Sequence, residues 1–256
     1  MSKNCPIMKR MKENYESRSR TFLTRRTPVI IRIDGKAFHT YTRGLNKPFD
    51  EGLMADMQAT AIFLCKNIQG AKLAYTQSDE ISILVTDFDT LTTDAWFGYS
   101  VQKICSVSAS LTTAWFNQKR AKRRQDFSLK SLAFFDARCF SIPKEEVANY
   151  FLARQKDAVK NSISMLAQSL YSHKELEGKN GSQMQEMCWQ KGQNWNDLHW
   201  SKKRGNTIIR RTLPNQLCND TTDISMLGKD GWVLEETPLT FNEEYFKNIL
   251  YNETHS

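Results

Sequence analysis

The sequence lacks the features that would place it in a membrane or on a secretory route. No apolar run approaches the about 20 residues needed to span a bilayer. The stretch Met1 to Arg20 is polar and has no apolar core of the signal-peptide kind. A cytoplasmic protein with no membrane partner is the expectation. The six cysteines (Cys5, Cys65, Cys105, Cys139, Cys188, Cys218) are scattered without a CxxC pair, and the four histidines are equally dispersed. That excludes a disulfide framework and a zinc-finger spacing; four of the cysteines sit in apolar surroundings, as small core residues do. There is no internal repeat and no low-complexity linker.

What is present is a chain of 256 residues, 40% apolar, which is long enough to bury a proper core. Its 36 Lys and Arg exceed its 28 Asp and Glu by eight charges. Such an excess serves solubility, and it also favours a polyanionic partner, of which nucleic acid is the commonest. The basic residues gather at Arg18 to Arg26, Lys119 to Arg124 and Lys202 to Arg211. Three separated clusters suit an extended phosphate backbone better than one phosphate pocket.

Residues 1–27 form a basic N-terminal segment. The β-branched run from Pro28 to Ile33, followed by Asp34-Gly35, reads as a strand ending in a turn. Glu51 to Asn67 places Met54, Met57, Ala61 and Leu64 on one helical face. Ala71 to Thr76 and Ile81 to Val85 read as strands around the polar turn Gln77 to Glu80. A long helix is predicted over Thr93 to Arg120, and a fourth strand over Ser131 to Ala137. The order is β-α-β-β-α-β over residues 28–142, a ferredoxin-like α+β arrangement. Residues 143–256 are predicted to be mainly helical and packed on the same domain. Within them lie a long helix over Lys144 to Tyr171, shorter helices over Lys174 to Trp189 broken at Gly178 to Gly181, and short strands at 206–211 and 231–235.

In that topology the first and third strands lie side by side and antiparallel. The end of one then meets the start of the other, bringing Asp34 to Asp79 and Glu80. Three carboxylates converging beside a glycine turn suit a pair of Mg²⁺ ions, which take oxygen ligands and substrate phosphates. Two such ions about 4 Å apart activate an attacking hydroxyl and neutralise a leaving pyrophosphate. Either motif alone reads equally as a plain turn; facing each other, they favour the metal site. Gly35 lets backbone approach a metal or phosphate closely. The segment Gly35, Lys36, Ala37, Phe38, His39 would run under a nucleoside triphosphate. There Phe38 packs either on the base or in the core, and His39 either binds phosphate or faces solvent. Lys47, in the next loop, offers a mobile point charge to the triphosphate.

The motifs Arg32-Ile-Asp-Gly-Lys-Ala-Phe-His39, Lys47-Pro48 and Tyr75-Thr-Gln-Ser-Asp-Glu80 together resemble the tRNA-His guanylyltransferase family, including its guanylyltransferase-like relatives. The resemblance runs from about residue 28 to 165, with a weaker stretch near Asn194 to Gly205. It implies a catalytic domain built like the palm of ordinary polymerases. It also implies activation of a tRNA 5′-monophosphate by ATP, and then attack by the 3′-hydroxyl of an incoming nucleotide such as GTP. By the same resemblance Asp34, Gly35 and Asp79 hold the metals, with Glu80 supporting them. Ser78, Lys47, Asn161 and residues 35–39 bind nucleotide, and Lys103 and Ser110 lie near the triphosphate or the tRNA end. Asp136 and Arg138 match a short motif whose role is either in the site or in strand-end pairing. A homotetramer built as a pair of dimers is the family's assembly.

One departure bears on substrate range. The segment Arg154 to Ile163 resembles a family stretch in which a histidine precedes an asparagine pair. Here Val159 holds the histidine position and Ser162 that of the second asparagine. Valine cannot hydrogen-bond a base or phosphate, so the resemblance implies the broader activity of the guanylyltransferase-like branch: template-dependent repair of incomplete tRNA 5′ ends. Backbone contacts to tRNA are expected from Arg25, Arg26, Lys119, Arg120, Arg123 and Arg124, with Lys203 and Arg204 beside Trp195 and Trp200 bordering the RNA path or the core. A forward-polarity palm polymerase or a nucleotide cyclase shares the metal logic. A non-catalytic RNA-binding protein on a ferredoxin-like sheet is the alternative from another class.

Overall fold

A computed structural model describes residues 5–126, 128, 131–211 and 231–251; Cys218, one of the scattered cysteines, lies outside them. The chain opens with helix α1 (Pro6–Met11) and a wider turn at Lys12–Glu16, then enters strand β1 (Val29–Gly35). The short helix α2 (Phe38–Tyr41), helix α3 (Glu51–Asn67), strands β2 (Ala71–Gln77) and β3 (Glu80–Val85), helix α4 (Val101–Arg124) and strand β4 (Phe135–Ser141) follow. Beyond them lie α5 (Val147–Leu170), α6 (His173–Leu176), α7 (Gly181–Gln190), α8 (Trp200–Arg204), β5 (Asn206–Arg210), β6 (Trp232–Glu235) and α9 (Glu243–Tyr251).

The six strands form one antiparallel sheet in the order β4-β1-β3-β2-β5-β6. The first four give the ferredoxin-like order, and β5 and β6 extend it past the β2 edge. Strand alternation divides the core. Val29, Ile31, Ile33, Ile81, Ile83 and Val85 face the α3 and α4 side with Met57, Leu64, Ile104 and Phe116. Ile30, Leu73, Tyr75 and Leu84 face α5 and α9, against Val147, Phe151, Phe246 and Leu250. Every residue of β3 is buried, because helices cover both faces of the sheet's centre. No open sheet surface is left there for stacked bases, and this removes the main attraction of the RNA-binding-module reading.

Two predicted boundaries move. The helix predicted from Thr93 begins at Val101, because Phe97, Gly98 and Tyr99 adopt left-handed backbone (φ 50°, 60° and 61°) that no α-helix continues. The strand predicted over 131–137 runs over Phe135–Ser141 instead. The backbone of Ala133 is tied at both ends to the Asn117 side chain on α4, each bond 2.8 Å, so the ladder starts only after it. Along α4 the buried positions are Ile104, Ser108, Thr112, Phe116 and Arg120, a strict four-residue repeat. The stripe ends in a charge because Asp56, itself buried on α3, waits there at 3.1 Å. Burying that pair holds α3 and α4 in one register at a desolvation cost that only mutual pairing offsets.

Candidate active site

The site lies where β1, β3 and β4 meet at one end of the sheet. The β1–β3 ladder runs to Ile33 opposite Ile81, so Asp34 emerges beside the two-residue turn that carries Ser78 and Asp79. Ser78 sits at φ 50°, the left-handed geometry such a tight hairpin requires. On the other flank Asp34 stands opposite Asp136 in the β1–β4 register. Arg138 reaches toward both, 3.9 Å from Asp34 and 3.3 Å from Asp136, and is half exposed. Asp136 and Arg138 therefore take part in strand-end pairing around the first aspartate.

Burial pushes the Asp79 carboxyl above its ordinary pKa, and the charges of Asp34 and Glu80 push it further; its own backbone amide and the Ser78 hydroxyl oppose the rise. Two acids in electrostatic reach of each other, one of them desolvated, form a centre short of positive charge. A cation fits it.

The expected third carboxylate does not join them. Among the described residues no three His, Cys, Asp or Glu side chains gather as a metal cluster. Glu80 is buried on the α5 side of the sheet, and both of its oxygens are taken. Arg154 donates from Nε to Oε1 at 2.8 Å and from Nη2 to Oε2 at 2.9 Å. Arg32 approaches Oε2 at 2.8 Å and the Ser82 hydroxyl reaches Oε1 at 3.2 Å. Glu80 is thus a buried anchor for the hairpin rather than a free ligand. Its partners Arg32 and Arg154 stand in the sequence only as members of motifs, with no role assigned to either. No local spacing links residue 154 to residue 80, and only the tertiary fold pairs them.

The turn after Gly35 is built around Phe38. The Lys36 amide bonds the Phe134 carbonyl at 2.8 Å, and Ala37 turns left-handed at φ 54°. The amides of Ala37, Phe38 and His39 have no hydrogen-bond partner among the described residues. Successive free amides in such a turn make a concavity suited to an anion. The Phe38 ring, however, is 5% exposed and packs with Tyr41, Phe116 and Phe135. It belongs to the core and not against a base. Lys36, His39 and Lys47 are exposed, and His39 shares a 3.0 Å hydrogen bond with Thr40. Asn161 is exposed on α5, two turns beyond Arg154 on the same side of the helix. Among the described residues no hydrogen bond or ion pair links it directly to the aspartates.

The basic residues separate into two groups. Arg120 is 4% exposed and bonds Asp56, with Asp50 at 3.6 Å, so an RNA backbone cannot reach it. Arg25 pairs with the buried Asp87, and the Arg26 guanidinium bonds the carbonyls of Thr90 and Leu91; the two pin the loop after β3. Arg204 is held by Glu236 and the Thr237 carbonyl. All four pair with an acid or carbonyl far away in sequence; Arg120 and Arg204 are largely enclosed, whereas Arg25 and Arg26 stay exposed at the surface. Arg123 also bonds Asp56 yet stays half exposed, while Lys119 lies over Trp115 and Lys203 over Trp195. Lys103, Ser110 and Arg124 are exposed, which leaves them accessible to a polyanion.

A family model described as tRNAHis guanylyltransferase matches residues 8–143. A bacterial tRNA(His) guanylyltransferase-like protein solved in complex with ATP is 46% identical, with a TM-score of 0.84 over 96% of this chain and 99% of its own. Another, solved with GTP, is 41% identical, with a TM-score of 0.79 over 98% and 100% of the two chains. A tRNA(His) guanylyltransferase of Eremothecium gossypii is 30% identical over 206 residues, covering 72% of this chain and 83% of its own.

Proposed function

The chain belongs to the tRNA-His guanylyltransferase family, and from that premise we propose that it adds nucleotides to the 5′ end of tRNA in the 3′-to-5′ direction, repairing incomplete ends against the opposite strand. The observation that carries the proposal is the meeting of Asp34 and Asp79 at facing strand ends within a fold that also binds ATP and GTP in its solved relatives. In a nucleotidyltransferase of this family a divalent metal is expected, and we assign it as a pair of Mg²⁺ ions. Asp34, Asp79 and the Gly35 carbonyl would hold them. Bound there, the metals supply Lewis-acid activation of the attacking oxygen and charge neutralisation of the leaving phosphate.

The protein's own groups complete the site. Desolvation of Asp79 makes its negative charge costly until a cation arrives. Glu80, clamped by Arg32 and Arg154, holds the hairpin that carries Asp79. The free amides of residues 37–39, with Lys36 and Lys47, offer donors and positive charge to a triphosphate. Exposed cations such as Lys103 and Arg124 lie open to the tRNA backbone.

Substrate range follows from α5. Ser162 is 4% exposed; its hydroxyl donates to the Val159 carbonyl and accepts from the Trp195 indole at 3.0 Å. Its polarity is spent inside the protein, and Val159 has none to offer. Selection of tRNA-His through this segment therefore lacks two of its three polar side chains, with Asn161 alone remaining exposed, which supports the broader repair activity. Among the described residues no helix is long and apolar enough to cross a membrane, and a homotetramer is the assembly proposed by family. The test is extension of 5′-truncated tRNAs other than tRNA-His. Modification of tRNA-His alone would defeat the reading.

A further inference from the structure

Glu80 is one residue from the proposed metal ligand Asp79, but its charge is directed into the protein, toward a helix that begins 67 residues later. Its four donors come from three elements: Arg32 on β1, Ser82 on β3 and Arg154 on α5. Tyr150, one turn before Arg154, adds a 2.9 Å bond to Ser82. Only Arg154 grips both carboxylate oxygens, with the two parallel bonds that fix an Arg–carboxylate pair in plane as well as in distance. Asp157, one turn on, holds Arg154 Nη2 at 2.8 Å and so keeps the guanidinium from turning away.

The turn above this clamp needs such support. Ser78 is a non-glycine residue in left-handed backbone, and Asp79 stands next to it at the hairpin tip, facing the end of β1 from which Asp34 emerges. Without an anchor, two like charges at facing strand ends would be free to separate. The anchor counters that on the one side where it does not compete for the metal, because the strand alternation sends Glu80 away from the site.

We infer that Arg154 is a positioning residue for the metal centre: through its two-point grip on Glu80 it sets the place of the Asp79 carboxylate relative to Asp34. The inference rests on the assignment of Asp34 and Asp79 as metal ligands, and goes beyond it by giving α5 a role in metal affinity. Groups that orient metal ligands in this way are typically worth about 10–100-fold in metal affinity.

The experiment uses the full-length protein with Mn²⁺ as a spectroscopic probe, titrated by electron paramagnetic resonance without nucleotide or tRNA. Wild type, Asp79→Asn, Arg154→Met and Arg154→Lys are compared, with circular dichroism to verify folding. Arg154→Met is expected to weaken Mn²⁺ binding by about 10-fold. Arg154→Lys, which keeps the charge but makes one contact, is expected to fall between it and wild type. Adding Glu80→Gln to Arg154→Met should cost little more than either change alone, as for residues acting through one contact. In the extension assay the deficit of Arg154→Met should shrink as Mg²⁺ is raised, which a general loss of structure would not produce. If Asp79→Asn lowers Mn²⁺ affinity and the Arg154 variants do not, the positioning role is wrong and the metal site stands. If Asp79→Asn leaves binding unchanged, the metal assignment itself fails and the inference with it. Should Arg154→Met not fold, Arg154→Lys decides: wild-type affinity in that variant overturns the inference.

Discussion

The ring of Phe38 lies directly over the α-carbon of Gly35: a methyl group added there would overlap Phe38 Cδ2. The glycine next to Asp34 is therefore fixed by packing from below as much as by access from above. Gly35→Ala should displace either the ring or the β1 terminus, lowering extension activity strongly and stability by about 1–3 kcal/mol, the usual cost of overpacking. Adding Phe38→Leu should recover part of the stability, because a smaller side chain frees the space. Thermal denaturation of the single and double variants checks this; an unchanged melting temperature in Gly35→Ala contradicts it.

Asp79 carries the electrostatic tension of the site. Its folded pKa is raised, so the native state holds its proton to higher pH than the unfolded chain does. Its contribution is most favourable below the unfolded value of 3.8 and is lost as pH rises through the raised folded value. At neutral pH, without metal, Asp79→Asn should therefore raise the melting temperature by about 2 °C, a modest charge-relief effect for a chain of this size. The same change should abolish extension. A lower melting temperature would show that the Asp79 charge is stabilising after all.

Buried and exposed cations separate in their effects. Arg120→Met leaves Asp56 with Arg123 alone, and should cost about 3 kcal/mol, the low end for a broken buried pair, with a melting temperature about 6–12 °C lower. Its tRNA affinity, measured below that melting point, should match wild type. Lys103→Ala should do the opposite: stability unchanged, tRNA binding weaker, and the salt dependence of binding reduced by about one counterion. Filter binding across a salt series distinguishes them.

How much of this was legible in the sequence depends on the distance over which each feature is specified. The ferredoxin-like order and the approach of Asp34 to Asp79 could be read because strand alternation and right-handed crossovers are local rules. The start of α4 was misplaced because Phe97 and Tyr99, ordinary aromatic residues by type, take left-handed backbone that composition does not announce. The start of β4 was misplaced because the Asn117 side chain, on a different element, claims the Ala133 backbone. Glu80 was read among the converging carboxylates because it adjoins Asp79, and by resemblance as supporting the metals rather than holding them. Its true partners come from residues 32 and 154, and which way a charge faces is settled by the pleat and by distant arginines. Arg120 and Arg204 looked like surface cations for the same reason: the acids and carbonyls that hold them are remote in sequence, as are those that pair with the exposed Arg25 and Arg26.

Asp34→Ala, at the other carboxylate, should eliminate nucleotide addition while leaving tRNA binding within about twofold, since the exposed cations that attract the backbone are untouched. Single-turnover extension and filter binding on the same preparation test this. Extension retained in the variant would remove Asp34 from the metal site.

The most direct test of the central claim takes a 5′-triphosphorylated tRNA lacking its first nucleotide, drawn from a species other than tRNA-His, with Mg²⁺ and labelled nucleoside triphosphates. The account predicts growth by one residue at the 5′ end, with the added base complementary to the one opposite. Growth at the 3′ end, or no growth with an otherwise active preparation, would contradict it.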